Sequence, residues 1–176
     1  QSKRCSDILR RISRKEIEDD QFINIVKVED LLEEIIISFK ETTDVKIDLI
    51  SDEDKNKINI KRAPELVYGL RNFIGNAVKF SKSRVEITLR SDEKAIEIKI
   101  NDDGPGIPED IITKVGEPYI KSRSKELNSN SGLGLGTFLG KTLLEKKNAR
   151  LLFRSNEGLG GALVLIRWSP NDFTNA

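Results

Sequence analysis

Residues 63–80 constrain what this chain can fold into more than any other stretch. Leu66, Val67, Leu70, Phe73, Ile74, Ala77 and Val78 recur at 3.6-residue spacing and make one apolar stripe. Two short alternating runs follow at once, residues 85–89 and 95–100, joined across Ser91 and Asp92. Alternation predicts strands with one apolar face, and the short link predicts a hairpin. A helix and a hairpin with one apolar face each bury those faces on one another, which predicts a layered α/β domain.

The rest of the chain extends that pattern. Val28, Leu31, Leu32, Ile35, Ile36 and Phe39 predict a second helix, preceded by a short strand over 25–28. Residues 45–50 alternate like a strand, with a short partner at 58–60. Residues 136–147 read as a third helix. Residues 151–154 and 162–168 read as closing strands around a glycine turn at Gly158, Gly160 and Gly161. At the front, Ile8, Leu9 and Ile12 suggest the end of a polar helix over 6–14, followed by a charged linker. The expected fold is an α/β two-layer sandwich, a mixed and largely antiparallel sheet packed on about three helices, with an N-terminal helical remnant. The expected division is 1–14 remnant, 15–25 linker, 26–170 catalytic domain and 171–176 tail. Residues 104–131, rich in Gly, Pro, Ser and Lys, predict a long mobile loop with at most one short helix. Loops beyond about 15 residues are usually functional or disordered.

Composition removes several kinds of chemistry. The chain has 176 residues, no histidine and one cysteine, Cys5. That excludes His-based nucleophile activation, His metal sites and a zinc cluster within these residues. A lone cysteine gives no internal disulfide framework and fits a reducing compartment. The net charge is +1, with both signs intermixed, and no basic stripe carries interleaved aromatics, so nucleic acid is not an expected partner. No apolar stretch is long enough to span a bilayer and no signal-peptide pattern opens the sequence, so no membrane contact by these residues is expected.

Opposite the apolar stripe of 63–80 lie Asn72, Asn76 and Lys79, at i, i+4 and i+7. One reading is a solvated face. Such faces normally use Glu, Lys, Gln and Arg, whereas this helix holds two Asn on its non-core face together with Gly69 and Gly75. Each glycine costs about 0.8–1 kcal/mol relative to Ala. The other reading is a face that needs short polar groups and close backbone approach. A carboxamide oxygen can ligate Mg²⁺, and a lysine at 79 can meet a phosphate.

The strand ending at Ile100 runs into Asn101-Asp102-Asp103-Gly104-Pro105-Gly106-Ile107-Pro108. This is either a turn with a helix cap or a carboxylate beside two glycines that accepts a hydrogen bond from an adenine amino group. A second loop, Gly132-Leu133-Gly134-Leu135-Gly136, stands directly before Thr137 and the third helix. It is either a hinge or a phosphate cradle at a helix N-terminus. It is not G-x-G-x-x-G, since position 137 is Thr. The run Gly140-Lys141-Thr142 is not a P-loop, because Leu135 stands where the required first glycine would be.

In order, N-x-x-x-N-A-x-K-F, D-x-G-x-G, a long lid and G-x-G-x-G resemble the ATP-binding fold shared by histidine kinases, type II topoisomerase subunits, mismatch-repair ATPases and a heat-shock chaperone. The resemblance covers about residues 26–168. It implies ATP and Mg²⁺ as cofactors. It implies Asn76 as the Mg²⁺ ligand, Asn72 as its neighbour, Lys79 on phosphate and Phe80 against the adenine. Asp102 is implied as the adenine reader, flanked by Gly104, Gly106 and Ile107. Tyr119, in Gly116-Glu117-Pro118-Tyr119, resembles the kinases' aromatic box, although a Phe is more usual at position 116. Lys121 and Arg123 are implied as lid contacts to phosphate, with Lys125 a further one. Gly132, Leu133, Gly134, Leu135, Gly136 and Thr137 are implied as the hinge and phosphate cradle.

The ATPase members carry a Glu four residues before the Mg²⁺-binding Asn, as general base on water. Here that position is Asn72, which cannot act as a base, so phosphoryl transfer to a protein side chain is favoured. Two runs, 116–119 and 132–145, are similar to the RegB-type redox-sensing kinases. That likeness implies a phosphoacceptor histidine upstream, a homodimeric parent, a response regulator as partner and a redox role for Cys5. It further implies a cytoplasmic domain whose parent is anchored in the bacterial inner membrane. The missing histidine is read as truncation after the dimerisation helix; a degenerate relative without kinase activity is the other reading. An anti-sigma-type serine kinase and an ATP-gated clamp are the competing functions.

Overall fold

The computed structural model describes residues 25–51, 58–118, 135–155 and 157–174. The elements run β1 (Ile25–Lys27), α1 (Val28–Lys40), β2 (Lys46–Ser51), β3 (Asn59–Lys61), α2 (Pro64–Phe80), β4 (Arg84–Ser91) and β5 (Ile96–Asp102). After a 3-10 turn (Ile112–Lys114) come α3 (Leu135–Lys146), β6 (Arg150–Ser155), β7 (Ala162–Trp168) and α4 (Pro170–Thr174). The expected remnant at 6–14, Cys5, and the lid positions Tyr119, Lys121, Arg123, Lys125, Gly132, Leu133 and Gly134 lie outside the described residues.

Five strands form an open mixed sheet in the order β2-β4-β5-β7-β6, and β1 pairs with β3 in a separate ribbon. β2 and β4 are parallel, with Lys46 opposite Arg84 and Ser51 opposite Leu89. A parallel pair needs a crossover, which β3 and α2 supply. β4–β5, β5–β7 and β6–β7 are antiparallel. The hairpin turn between β4 and β5 is closed by Asp92, whose Oδ1 accepts from the Lys94 and Ala95 amides at 2.7 and 2.8 Å.

Alternation sorts the sheet faces as expected. Val85, Ile87 and Leu89 of β4, Ile98 and Ile100 of β5, and Ile166 and Trp168 of β7 are buried in one core with Leu31, Leu32, Ile35, Leu66, Leu70, Phe73 and Ile74. The opposite face carries Arg84, Glu86, Glu97, Lys99 and Arg167, linked by surface ion pairs such as Arg84–Asp48 at 3.2 Å and Arg167–Glu97 at 3.5 Å. Exposed pairs of this kind add little stability.

α2 begins with Pro64 at its first turn, where the missing N–H costs nothing, and stops at Ser81, whose amide bonds the Ala77 carbonyl. Its two glycines provide the close approach expected from sequence, and the partners are neighbouring helices. Gly69 is buried against α3, and a Cβ there would lie 2.6 Å from Leu144 Cγ. At Gly75 a Cβ would meet the Phe39 ring of α1 at 3.1 Å. Both residues let helices pack closely, and the signal was ambiguous because helical spacing alone does not say which neighbour lies over a glycine. Gly69→Val is expected to lower stability by about 1–3 kcal/mol through overpacking. Urea denaturation checks this; an unchanged midpoint would mean that α2 and α3 do not meet through Gly69.

Just past the end of α3, Asn148 has a left-handed φ of 60°, a conformation Asn tolerates after helix ends. Trp168 Nε1 then donates to the Lys147 carbonyl at 3.0 Å, pinning that end to β7. At the same end of α3, Lys146 donates to the buried Glu65 carboxylate in the first turn of α2 at 3.0 Å. The short α4 runs from Pro170, the last residue assigned to the catalytic domain from sequence, into the residues assigned to the tail.

Candidate nucleotide site

The end of β5 sets the site. Asp102 is only 4% exposed, yet it is a carboxylate, so its presence needs a reason. Its Oδ1 accepts two backbone amides, Gly104 at 2.8 Å and Ala162 at 3.1 Å. Its carbonyl accepts from Gly161 at 3.0 Å. Both side-chain bonds go to Oδ1, which leaves Oδ2 as an acceptor beside them. Burial pushes the carboxyl above the usual carboxylate range; the two amides and the charge of Asp103 act less strongly, the amides downward and Asp103 upward. Gly104 and Gly161 are required by close approach. A Cβ at Gly104 would overlap the Phe80 carbonyl oxygen, and one at Gly161 would overlap Asp102 itself.

That approach joins the strand end to the last turn of α2, where Phe80 sits half-buried and Lys79 holds its ammonium 5.3 Å above the Phe80 ring. One turn earlier, Asn76 Nδ2 donates to Thr137 Oγ1 at 3.0 Å. The amide nitrogen is thereby committed to α3, and the carboxamide oxygen is the donor left for a hard cation. Asn72 is tied back to its own helix, Nδ2 to the Tyr68 carbonyl at 2.8 Å. Gly136 passes over it, with room for a Cβ only 3.3 Å from Asn72 Oδ1. Leu135 and Gly136, both exposed, open α3 beside this face.

The loop after Asp102 is anchored as well. Gly106 has a φ of 79°, which suits glycine, and the Ile107 amide donates to Ser155 Oγ at 2.8 Å. Further on, Gly116 has a φ of 90°, and a Cβ there would overlap the Lys141 stem. The glycine at a position where kinases more often carry Phe is thus matched by local geometry.

Of the residues expected from sequence, contacts join Asn72 to Gly136, Asn76 to Thr137, Lys79 to Phe80, and Phe80 and Asp102 to Gly104, while Ile107, after Gly106, is anchored to Ser155 of β6. Asp103 and Ser155 were missed. Nothing in a local pattern marks Asp103 apart from Asp102, since the difference lies in which backbone amides each faces. Among the described residues, no cluster of three or more His, Cys, Asp or Glu could hold a metal ion. A cation here would take a carboxamide oxygen from the chain and the rest of its shell from phosphate and water.

An open mixed sheet with three helices on one face and a buried strand-end aspartate defines a class of nucleotide-binding fold. The same fold appears in a mycobacterial sensor histidine kinase, MprB, at a TM-score of 0.68 and 21% identity over 83% of this chain and 96% of that one. It appears also in the ATP-binding domain of PrrB from Mycobacterium tuberculosis, at a TM-score of 0.59 and 21% identity over 82% of this chain and 95% of that one. In sequence, the chain is 38% identical over 185 residues to the sensor histidine kinase RegB of Cereibacter sphaeroides, covering 96% of this chain and 40% of that protein. Residues 61–171 match the family described as histidine kinase-, DNA gyrase B-, and HSP90-like ATPase, and the chain belongs to that family. It spans about 40% of the length of its RegB relative, and no helix among the described residues is long and apolar enough to cross a membrane.

Proposed function

We propose that this chain binds Mg-ATP between α2, the β5 end and the α3 start, and presents the γ-phosphate to a histidine on a dimerisation helix. The observation that carries the reading is Asp102, a buried carboxylate whose Oδ1 is saturated by backbone while Oδ2 is left for the amino group of a base. Asn76 fits the magnesium role through its free carboxamide oxygen. The ion would neutralise charge on the phosphates. The protein's own share is positioning: Asp102 orients the base, Phe80 packs beside it, and Lys79 supplies a cation in the last turn of α2. Tyr119, Lys121, Arg123, Gly132, Leu133 and Gly134 are proposed, on resemblance, as the lid over the nucleotide.

Asn72 supports kinase over ATPase chemistry. A carboxamide cannot take a proton from water, and this one is bonded back to the Tyr68 carbonyl. The chain is therefore expected to bind ATP yet hydrolyse it slowly, and to form no acid-labile phosphohistidine on its own, having no histidine. A phosphate-release assay with calorimetry in parallel tests this: rapid turnover by the unaltered chain would overturn the kinase reading.

The parent is proposed to be a homodimer that relays phosphate to a response regulator, with this domain on the cytoplasmic side of an inner-membrane anchor. These features follow from likeness to RegB-type kinases. A redox role for Cys5 belongs to the same proposal; its neighbours Lys3 and Arg4 favour the thiolate.

A further inference from the structure

We infer that Asp103 is a positioning residue that locks the adenine-reading strand end to the phosphate-facing end of α2; this inference rests on the nucleotide reading above. The carboxylate of Asp103 points away from the core and caps the turn between α2 and β4. Its Oδ1 accepts the amides of Lys82 at 2.8 Å and Ser83 at 3.1 Å. Its Oδ2 accepts the Ser83 amide at 3.1 Å and the Ser83 hydroxyl at 2.7 Å. Its own amide donates to the Arg84 carbonyl at 3.2 Å. The side chain thus holds Lys82 and Ser83 on the way out of α2, and the backbone amide holds Arg84 at the start of β4.

The consequence is geometric. Lys79 and Phe80 occupy the last turn of α2, immediately before this turn, and Asp102 and Gly104 flank Asp103 in sequence. Gly104 already fits against the Phe80 carbonyl with no room for a Cβ. The Asp103 clamp therefore fixes the distance between the group that reads the base and the groups that meet the phosphates, without itself facing the ligand. Burial opposes ionisation here, yet the Ser83 hydroxyl and the Ser83, Arg84 and Lys82 backbone bonds hold the carboxyl well below its ordinary range, so the clamp stays ionised near neutral pH. Preorganisation of this kind reaches affinity through the ordering it saves on binding.

The test measures ADP affinity by calorimetry in the full chain for Asp103→Ala, Asp103→Asn, Ser83→Ala and Asp102→Asn, with circular dichroism reporting the folded fraction. Asp103→Ala is expected to weaken ADP about tenfold, the scale of one lost charged hydrogen bond. Asp103→Asn keeps one acceptor oxygen and should recover most of that loss, and Ser83→Ala, the mildest change, should weaken ADP two- to threefold, roughly, for one neutral-donor bond removed. Combining Asp103→Ala with Asp102→Asn should give less than the product of the two effects, because both act on the same contact. ADP affinity unchanged in folded Asp103→Ala and Ser83→Ala, while Asp102→Asn weakens it, would overturn the positioning role and leave the site intact. If Asp103→Ala does not fold, unchanged affinity in Ser83→Ala alone overturns it. No effect of Asp102→Asn would instead remove the nucleotide reading on which the inference stands.

Discussion

ADP should bind Asp102→Asn about ten- to a hundredfold more weakly than the unaltered chain, the span of a lost charged hydrogen bond of about 1.5–3 kcal/mol. The substitution is nearly isosteric, so the effect isolates chemistry from volume. The Gly104 and Ala162 amides need an oxygen opposite them and would orient Asn Oδ1 as the carboxylate Oδ1 lies now. The Asn Nδ2 would then sit at the Oδ2 position and present hydrogens to a donor. Calorimetry that finds equal affinity would exclude Asp102 as the base reader. The same residue predicts a pH dependence. Its carboxyl is raised by burial, so the folded chain holds this proton more tightly than the unfolded one. From this group, stability without ligand falls as pH rises from the ordinary carboxylate range through the raised folded value. Nucleotide binding runs the opposite way, because the acceptor must be ionised: ADP affinity should drop as pH falls through that same window, and Asp102→Asn should flatten the drop.

Gly104→Ala should cost about 2–3 kcal/mol of stability, the upper range for an inserted methyl without space. The obstacle is the Phe80 carbonyl oxygen, with Asp102 Oδ1 at 2.9 Å as a second contact. A backbone atom cannot swing aside as a side chain can. Relief requires the α2 end and the β5 end to separate, so ADP binding should weaken in the folded fraction too. Chemical denaturation and calorimetry on the same sample check both effects. A variant as stable as the parent would mean that the strand end and helix end are not in contact. By contrast Gly160→Ala has open space around its Cβ, and only its φ of 89° resists substitution.

How much of this was legible follows from what a local pattern carries. The helix expected over 63–80 is Pro64–Phe80, and the alternating runs after it are β4 and β5, because burial on one face writes its period directly into the residues. The expected pairing of 45–50 with 58–60 was wrong: β2 lies parallel to β4 and β3 pairs with β1, since alternation records which face is buried but not which strand lies alongside. Gly69 and Gly75 signalled close backbone approach, but not what approaches; only the position of α1 and α3 decides that. The burial of Glu65 was invisible for the same reason, as its partner Lys146 lies 81 residues away. Asn76 and Asp102 stood out because an Asn-rich helix face and a strand-end Asp before glycines are locally costly unless something uses them; the structure places Asn76 against Thr137 and buries Asp102. Asp103 stands in the same motif but escaped notice, because a charged residue in a turn needs no explanation until its partners are seen.

The central claim is tested most directly by adding ATP labelled on the γ-phosphate to this chain together with the separately purified upstream helical segment of a RegB-type parent that carries its histidine. Label should appear on the helical segment, labile to acid and stable to base, with none on this chain, and Asp102→Asn should slow its appearance at limiting ATP. ATP bound and hydrolysed with no label reaching the histidine segment would contradict the account and favour a nucleotide-gated clamp.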